Sequence, residues 1–505
     1  MAAADARRAG PADVPEHVWL QRGRDNALAV FRRAARTVPA YRAFLREHGI
    51  MPRDVRTFDD FLQLPTTSKE SYLLKHDLAS LMPGGKLDGT CMVTRSSGYS
   101  GQPIFWPRLK RQDYGGVLGL DAFYSLFGVA SRSTLALVTF ALGMHSAGQS
   151  LIDSSLRVAR RPGNKLAIAT PGASVKETLE LVSHLSPRFE QTIIWGYPSL
   201  VHKIVVAGAD SGIRWGDLNT FVICAGEGFS ESWRRLVVGL LGGPPHPMRV
   251  CALYGSADAG LMGFDTPASL LARQLAFDQR NLQDCLFRGR PPLAFVQFSP
   301  VERFFESVEG ELALTCWRAV PMLRYLLHDV GDVLPFSAVM ECFRSCGISP
   351  EEAVVANGAI PQQVWRLPFL SCFGRSDGTV SVVGANVYPH TVQHVFSGHR
   401  EVSHFKLAVE EDATGQTRLT VYVESVDDEP SIQATKHLER VLHDQVLDAL
   451  LRGNWDYRGA MYDDPAAADP RIVIVPRGTG PFAEDSSRWK RSYTYAPRGR
   501  TAPAM

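Results

Sequence analysis

The sequence predicts an α/β protein, with a large N-terminal domain of sheets covered by helices and a small α+β domain at the C-terminus. Three observations carry this. From about residue 130 onward, continuous apolar runs alternate with amphipathic stretches, the pattern of strands buried on both faces. After Gly374 the pattern changes to alternating strands around one long amphipathic helix. The chain's 505 residues also exceed what a single core organises, so at least two domains are expected.

Along the chain, residues 16–80 read as helical. Val30, Phe31, Ala34, Ala35 and Val38 recur at helical spacing, and Pro39 ends that run. Strands are expected at Leu135–Phe140, Thr192–Trp195, Phe221–Cys224, Val250–Tyr254, Ala294–Phe298 and Glu311–Thr315, with helices such as Val175–Leu185 and Glu231–Leu241 between them. The stretch Ser337–Ser371, broken by Gly347, Pro350, Gly358, Pro361 and Pro368, closes the large domain. A boundary is expected near Gly374–Gly378. Beyond it Thr379–Val383, Phe405–Val409, Leu419–Glu424 and Arg471–Val475 read as strands. Leu438, Val441, Leu442, Val446, Leu447, Leu450 and Leu451 mark a helix with Ser431 as N-cap.

Composition narrows the function. Apolar residues are 45% and charged residues 21%, which argues against disorder. A net charge of +2 leaves no electrostatic footprint for nucleic acid or an anionic membrane. No apolar run approaches the roughly 18 residues of a membrane span. Met1–Pro15 has no apolar signal core and reads as a mobile tail. The eight cysteines are scattered singly and read as reduced, buried small hydrophobes of a cytoplasmic protein.

The chemistry lies in loops. Thr94-Arg95-Ser96-Ser97-Gly98-Tyr99-Ser100-Gly101-Gln102-Pro103 has almost nothing apolar to bury. Its backbone N–H groups and hydroxyls suit a polyphosphate, and a plain surface turn is the alternative. Ala225-Gly226-Glu227-Gly228-Phe229-Ser230 follows a strand directly, where α/β folds bind ligands; it also reads as a strand-to-helix turn with Ser230 as N-cap. Tyr254-Gly255-Ser256-Ala257-Asp258-Ala259-Gly260 closes the next strand. Further on come Gly310-Glu311-Leu312, Pro321-Met322-Leu323-Arg324-Tyr325-Leu326-Leu327-His328-Asp329, Gly374-Arg375-Ser376-Asp377-Gly378 and Gly384-Ala385-Asn386.

Together with Val38-Pro39-Ala40-Tyr41 and Leu64-Pro65-Thr66-Thr67-Ser68-Lys69, these motifs in this order resemble the adenylate-forming (ANL) enzymes, in the branch of phenylacetate–CoA ligase and coenzyme F390 synthetase. The resemblance covers nearly the whole chain. It implies an AMP-binding adenylation domain over 1–374 and a small mobile cap domain over 375–505. Ser96, Ser97, Gly98, Ser100 and Gly101 would hold the ATP phosphates, although Tyr99 stands where a small hydroxyl residue is usual and Gln102 where many relatives have lysine. Ala225, Gly226, Glu227 and Gly228 would border the adenine. Tyr254 would stack on it, with Gly255, Ser256 and Ala257 beside the α-phosphate. Ala257 replaces a hydroxyl residue, a loss worth about 1 kcal/mol if nothing substitutes. Asp258 replaces glutamate as the Mg²⁺ ligand and remains a hard oxygen donor.

The resemblance also assigns Asp329 to the ribose hydroxyls. Asp332 is the competitor, and the spacing from Arg324-Tyr325 decides for Asp329. Arg375 would reach the nucleotide, Asp377 would be the hinge, and Gly384 would border the acceptor's tunnel. Of the lysines after the boundary, Lys406 falls in a strand and Lys436 in a helix, so the family's late catalytic lysine would be Lys490, with an ordinary solvated terminal lysine as the alternative. Phe140, Gly143, His145, Trp195 and Tyr197 would frame a flat aromatic acid, with strand-end packing as the alternative. Cys342, Cys346 and His328 lack zinc-ligand spacing.

The expected reaction is an ATP-dependent ligation with ATP/AMP and Mg²⁺ as cofactors: a carboxylic acid is adenylated and its acyl group passes to CoA. Delivery to an amine or hydroxyl of a second small molecule is the rival, and a non-catalytic nucleotide-binding scaffold is the rival of another class. The partners expected are the acid and its acyl acceptor, with a homodimer compatible and neither nucleic acid nor membrane involved.

Overall fold

Runs such as Phe221–Cys224 expose no polar side chain that water could claim, and the structure buries them inside an eleven-stranded sheet. The computed structural model describes residues 11–95, 104–109, 114–144, 146–428, 431–483 and 494. The chain divides into two compact units. The larger takes the chain through residue 95 with 105–196 and 204–374; the smaller takes 104, 197–203 and the chain from Arg375 onward.

In the larger unit β1 (Thr90–Arg95) and β2 (Phe105–Leu109) form an antiparallel pair. The main sheet begins with the parallel strands β3 (Thr134–Val138), β4 (Leu166–Ala169), β5 (Gln191–Gly196), β6 (Thr220–Cys224) and β7 (Val250–Ser256). It continues through β8 (Gly260–Phe264), β9 (Ala294–Gln297), β10 (Phe304–Val308), β11 (Glu311–Cys316), β12 (Met322–Leu334) and β13 (Phe369–Arg375). The spatial order is β10-β11-β12-β13-β9-β8-β7-β6-β5-β3-β4. The direction of pairing changes at β7, which runs parallel to β6 and antiparallel to β8.

The helices Val175–Leu185 and Glu231–Leu241 start at Ser174 and Ser230, whose hydroxyls accept from the third N–H of each helix. Val38 closes the first long helix, Glu16–Thr37, and Pro39 opens the next one, Pro39–Glu47, at the position where its missing N–H costs nothing.

In the smaller unit β14 (Val380–Val382) and β15 (Ala385–Val387) form a hairpin, and Val383 and Gly384 turn it with φ of 49° and 75°. β16 (Val402–Glu411), β17 (Thr417–Ser425) and β18 (Arg471–Val475) form a separate sheet. The helix Ile432–Gly453, capped by Ser431, contributes Leu442, Val446 and Leu450 to a core with Leu407, Leu419, Val421 and Val423.

The cysteines correct one expectation. Cys224, Cys251, Cys316 and Cys372 are buried thiols, but Cys91 is exposed and Cys285 is bonded to Cys342. Helices Arg280–Phe287 and Phe336–Ser345 pack together through Leu286, Phe287, Met340 and Phe343. That seam sets the two cysteine Cα atoms 5.9 Å apart, within disulfide reach.

No helix among the described residues is long and apolar enough to cross a membrane.

Candidate active site

Strands β5, β6 and β7 run parallel and end at Gly196, Cys224 and Ser256, so the turns that follow them share one edge of the sheet. Such an edge is where α/β folds place ligands. The turn after β6 is pinned by the Ala225 N–H, which donates to the Gly196 carbonyl at 3.2 Å. Gly226 takes φ 87°, and a Cβ on Gly228 would meet Leu293 Cβ at 2.6 Å. The segment needs glycine at both positions, for conformation and for space respectively. Its end is the Ser230 cap, as the turn reading has it.

Next to it, β7 turns into β8. A Cβ on Gly255 would lie 2.7 Å from the Gly260 carbonyl oxygen, so only glycine fits the tight pair. Ser256 Oγ accepts from Ala259 N–H at 3.1 Å and closes the turn that carries Asp258. Arg108 from β2 donates to the Ala257 carbonyl at 3.1 Å and to Ser146 Oγ at 2.8 Å.

The structure brings two of the expected nucleotide residues together: the Tyr254 hydroxyl donates to Asp329 Oδ2. Asp329 comes from β12 and is 9% exposed. Asp332 lies further along the strand, with its carboxylate 3.9 Å from the exposed Arg288 guanidinium. A second contact involves Asp258, whose Oδ2 accepts from the Tyr325 hydroxyl at 2.8 Å and lies 3.9 Å from Lys69 Nζ.

Lys69 arrives on the Leu64–Ser71 arm, which docks on β12 like a short parallel strand. Thr67 N–H donates to the Arg324 carbonyl at 3.1 Å, and Leu326 N–H donates to Thr67 at 2.8 Å. Arg324 fastens the base of the arm by donating to the Leu62 and Leu64 carbonyls, and pairs with Glu306 at 2.9 Å.

Lys69, Tyr325 and Arg108 received no role from the sequence. The first two stand inside motifs quoted above, so position in a motif was their signal. Nothing in the sequence ties Arg108 to Ala257.

The structure places the other expected residues as follows. Trp195 and Phe140 are wholly buried, and the Trp195 ring meets Phe123 and Tyr124 edge-on. They pack as core, the alternative reading of that segment. Tyr197 is also buried. Gly143 takes φ 84° in the loop after β3. Arg375 and Asp377 pair at 2.7 Å. Burial raises the Asp377 carboxyl, but Arg375 and Thr379 outweigh it and hold the group below the usual aspartate range. Lys406 is buried and donates to the Pro481 carbonyl at 2.8 Å. Ser96, Ser97, Gly98, Ser100, Gly101, His145 and Lys490 lie outside the described residues.

No family model and no curated protein matches the chain. Solved structures do. 2-Hydroxyisobutyryl-CoA ligase, in complex with 2-HIB-AMP and CoA in the thioesterification state, aligns with a TM-score of 0.61 at 13% identity, over 94% of this chain and 89% of that one. An open conformation of that ligase with 2-HIB-AMP and CoA aligns with a TM-score of 0.51 at 14% identity, over 94% and 91%. With identities this low, what is shared is the fold: this chain has the α/β fold of an adenylate-forming acyl-CoA ligase, a large sheet-rich domain followed by a smaller C-terminal one.

Proposed function

We propose that the protein is an ATP-dependent, AMP-forming carboxylate ligase that passes the acyl group of an aryl or arylacetic acid to CoA. The observation that supports this most directly is the Tyr254–Asp329 hydrogen bond at the carboxyl edge of the parallel strands, with Asp258, Tyr325 and Lys69 beside it. An aromatic ring and a carboxylate held side by side suit a nucleoside, the ring for stacking on the base and the carboxylate for accepting from both ribose hydroxyls. The fold shared with an acyl-CoA ligase agrees with it.

In this reading Ala225, Gly226, Glu227 and Gly228 border the adenine, and the Ser96–Gly101 loop holds the β- and γ-phosphates. A carboxylate oxygen of the acid attacks the α-phosphorus, the bond to the bridging oxygen breaks, and pyrophosphate leaves with the electron pair. Lys490 compensates the charge that develops. The acceptor sulfur then attacks the acyl carbon and AMP leaves. The protein supplies position and charge rather than a covalent nucleophile. Asp377 is the hinge about which residues 375–505 turn between the two steps, and Arg375 reaches the nucleotide.

In this reading a divalent cation would sit between Asp258 and the substrate phosphates, since no group of three or more His, Cys, Asp or Glu among the described residues is arranged to hold one alone. Asp258 offers a hard carboxylate, and Mg²⁺ commonly takes one or two carboxylates plus substrate phosphates. When bound, the ion would neutralise phosphate charge. Tyr325 orients the carboxylate by donating to Oδ2, and Lys69 adds positive charge on the same side.

A pyrophosphate-exchange screen over benzoic, anthranilic, salicylic, picolinic, phenylacetic and 2-hydroxyisobutyric acids tests the first half-reaction. Exchange that depends on one acid, and is lost in Lys490→Ala, is the expected result. No exchange with any acid, despite nucleotide binding, would leave the scaffold reading. Comparing AMP release with CoA, an aromatic amine and hydroxylamine then identifies the acceptor.

A further inference from the structure

One position in the candidate site breaks a local rule. His328, immediately before Asp329, has φ 59°, a left-handed conformation that glycine adopts freely and histidine only against steric resistance. Its ring lies between two carboxylates and is hydrogen-bonded to one of them. Nε2 lies 3.4 Å from Glu70 Oε2, and Nδ1 lies 3.4 Å from Glu311 Oε2. Glu311 opens β11, the antiparallel neighbour of β12. Glu70 belongs to the arm that carries Lys69, and its carboxylate also accepts from Ser68 Oγ at 2.9 Å.

Two attachments therefore bracket Lys69. On one side the Thr67 backbone pairs with β12; on the other the Glu70 carboxylate meets His328. Between them Lys69 points its ammonium at Asp258.

We propose that His328 is a positioning residue: its imidazole, bridging Glu70 and Glu311, ties the Lys69 arm to the strand that bears Asp329, so that the Lys69 ammonium and the nucleotide-binding carboxylates keep one register. The kinetic consequence rests on the ligase reading; the clamp on the arm does not. A histidine that merely filled a left-handed turn would need no carboxylate on either side, and glycine would serve better there.

His328→Gly is the informative variant, because glycine suits the backbone and removes only the ring. The protein should fold with an undiminished Tm. The amides of Thr67 and Leu326 should exchange with solvent hydrogen at least about tenfold faster, as local opening of the arm becomes easier. In pyrophosphate exchange kcat should fall about ten- to hundredfold, the scale of a misplaced group, while KM for ATP changes little. Glu70→Gln should give part of both effects, and the double variant little more than His328→Gly alone, because the two residues act through one contact. His328→Asn tolerates the backbone and keeps a donor, so it should recover part of the lost kcat.

Unchanged amide exchange in both single variants would overturn the proposal, as would a loosened arm with unchanged kcat. If the wild-type protein exchanges pyrophosphate with no acid, the ligase reading fails by itself. The clamp is then judged by the rate at which an amine-reactive reagent acylates Lys69: faster in His328→Gly supports it, and equal rates overturn it.

Discussion

The Tyr325 hydroxyl donates to Asp258 Oδ2 at 2.8 Å, across 67 positions of sequence. One carboxylate thereby joins the β7–β8 turn to β12, and Lys69 Nζ reaches the same oxygen from 3.9 Å. An aspartate, shorter than glutamate by one methylene, gains an orientation it would lack as a lone side chain in a turn.

Tyr325→Phe removes this donor and keeps the buried ring. The loss should be about 1 kcal/mol. If Asp258 holds the metal, the Mg²⁺ concentration giving half-maximal pyrophosphate exchange should rise about fivefold, with Tm nearly unchanged. A Mg²⁺ titration of exchange rate checks it, and an unaltered midpoint would count against a metal role for Asp258.

Two aspartates on β12 should behave differently. Asp329 is nearly buried and accepts from Tyr254. Asp332 faces an arginine that is 83% exposed, a pair of little energetic weight. Asp329→Ala should weaken ATP binding about ten- to hundredfold, the value of hydrogen bonds to a charged group, while Asp332→Ala should leave the isotherm within about twofold. Titration with a fluorescent ATP analogue distinguishes them. The reverse ranking would give the ribose to Asp332.

Most of the parallel half of the sheet was legible in the sequence because strands such as β6 are apolar throughout, but β4 (Leu166–Ala169) was not expected. Phe221–Cys224 and Val250–Tyr254 differ from the observed β6 and β7 only at their ends, and Val175–Leu185 and Glu231–Leu241 have the expected bounds. The antiparallel half was less legible. β8 holds two glycines in five residues, which reads as a turn. β12 runs for 13 residues but is interrupted by left-handed backbone at Arg324 and His328, which breaks the alternation a strand needs to be seen. Within the candidate site, Tyr254, Asp258 and Asp329 were singled out by their motifs, and the structure joins Tyr254 to Asp329. Lys69 could not be tied to Asp258, because that contact depends on the arm pairing with a strand more than two hundred residues later, and no local periodicity encodes such a pairing. For the Trp195 segment a pocket wall and strand-end packing both stayed open, because aromatic residues at a strand end suit either role; in the structure the Trp195 ring packs against Phe123 and Tyr124.

Glu302 predicts a pH dependence of stability. Burial pushes its carboxyl up from 4.5 to about 7, and Arg303 offsets only part of that. The folded protein thus holds this proton more tightly than the unfolded chain does. The sign follows from linkage: the contribution is fully present below about pH 4.5 and is lost as pH rises through about 7. Glu302→Gln keeps the shape and removes the titration. Urea midpoints measured at about pH 5 and pH 8 should differ more for the wild type than for this variant. Equal differences would mean that the carboxyl titrates normally.

The Cys285–Cys342 bond spans 57 positions. The segment it closes includes β9 through β12, and so both Tyr325 and Asp329. In the chain-entropy account a loop of this length stabilises by about 4 kcal/mol, an upper figure because unfolded chains keep some structure. Cys342→Ala should lower the denaturant midpoint accordingly, and a dithiol should lower the wild type to the same level. Cys346→Ala, which leaves the bond intact, should not. Cys285 is exposed, so the reductant has access without unfolding. Peptide mapping of protein unfolded without reductant should recover the linked 285 and 342 peptides. Finding both cysteines alkylated there would show that the helices pack with free thiols, and the difference between wild type and Cys342→Ala should then shrink to that of an ordinary half-buried side chain.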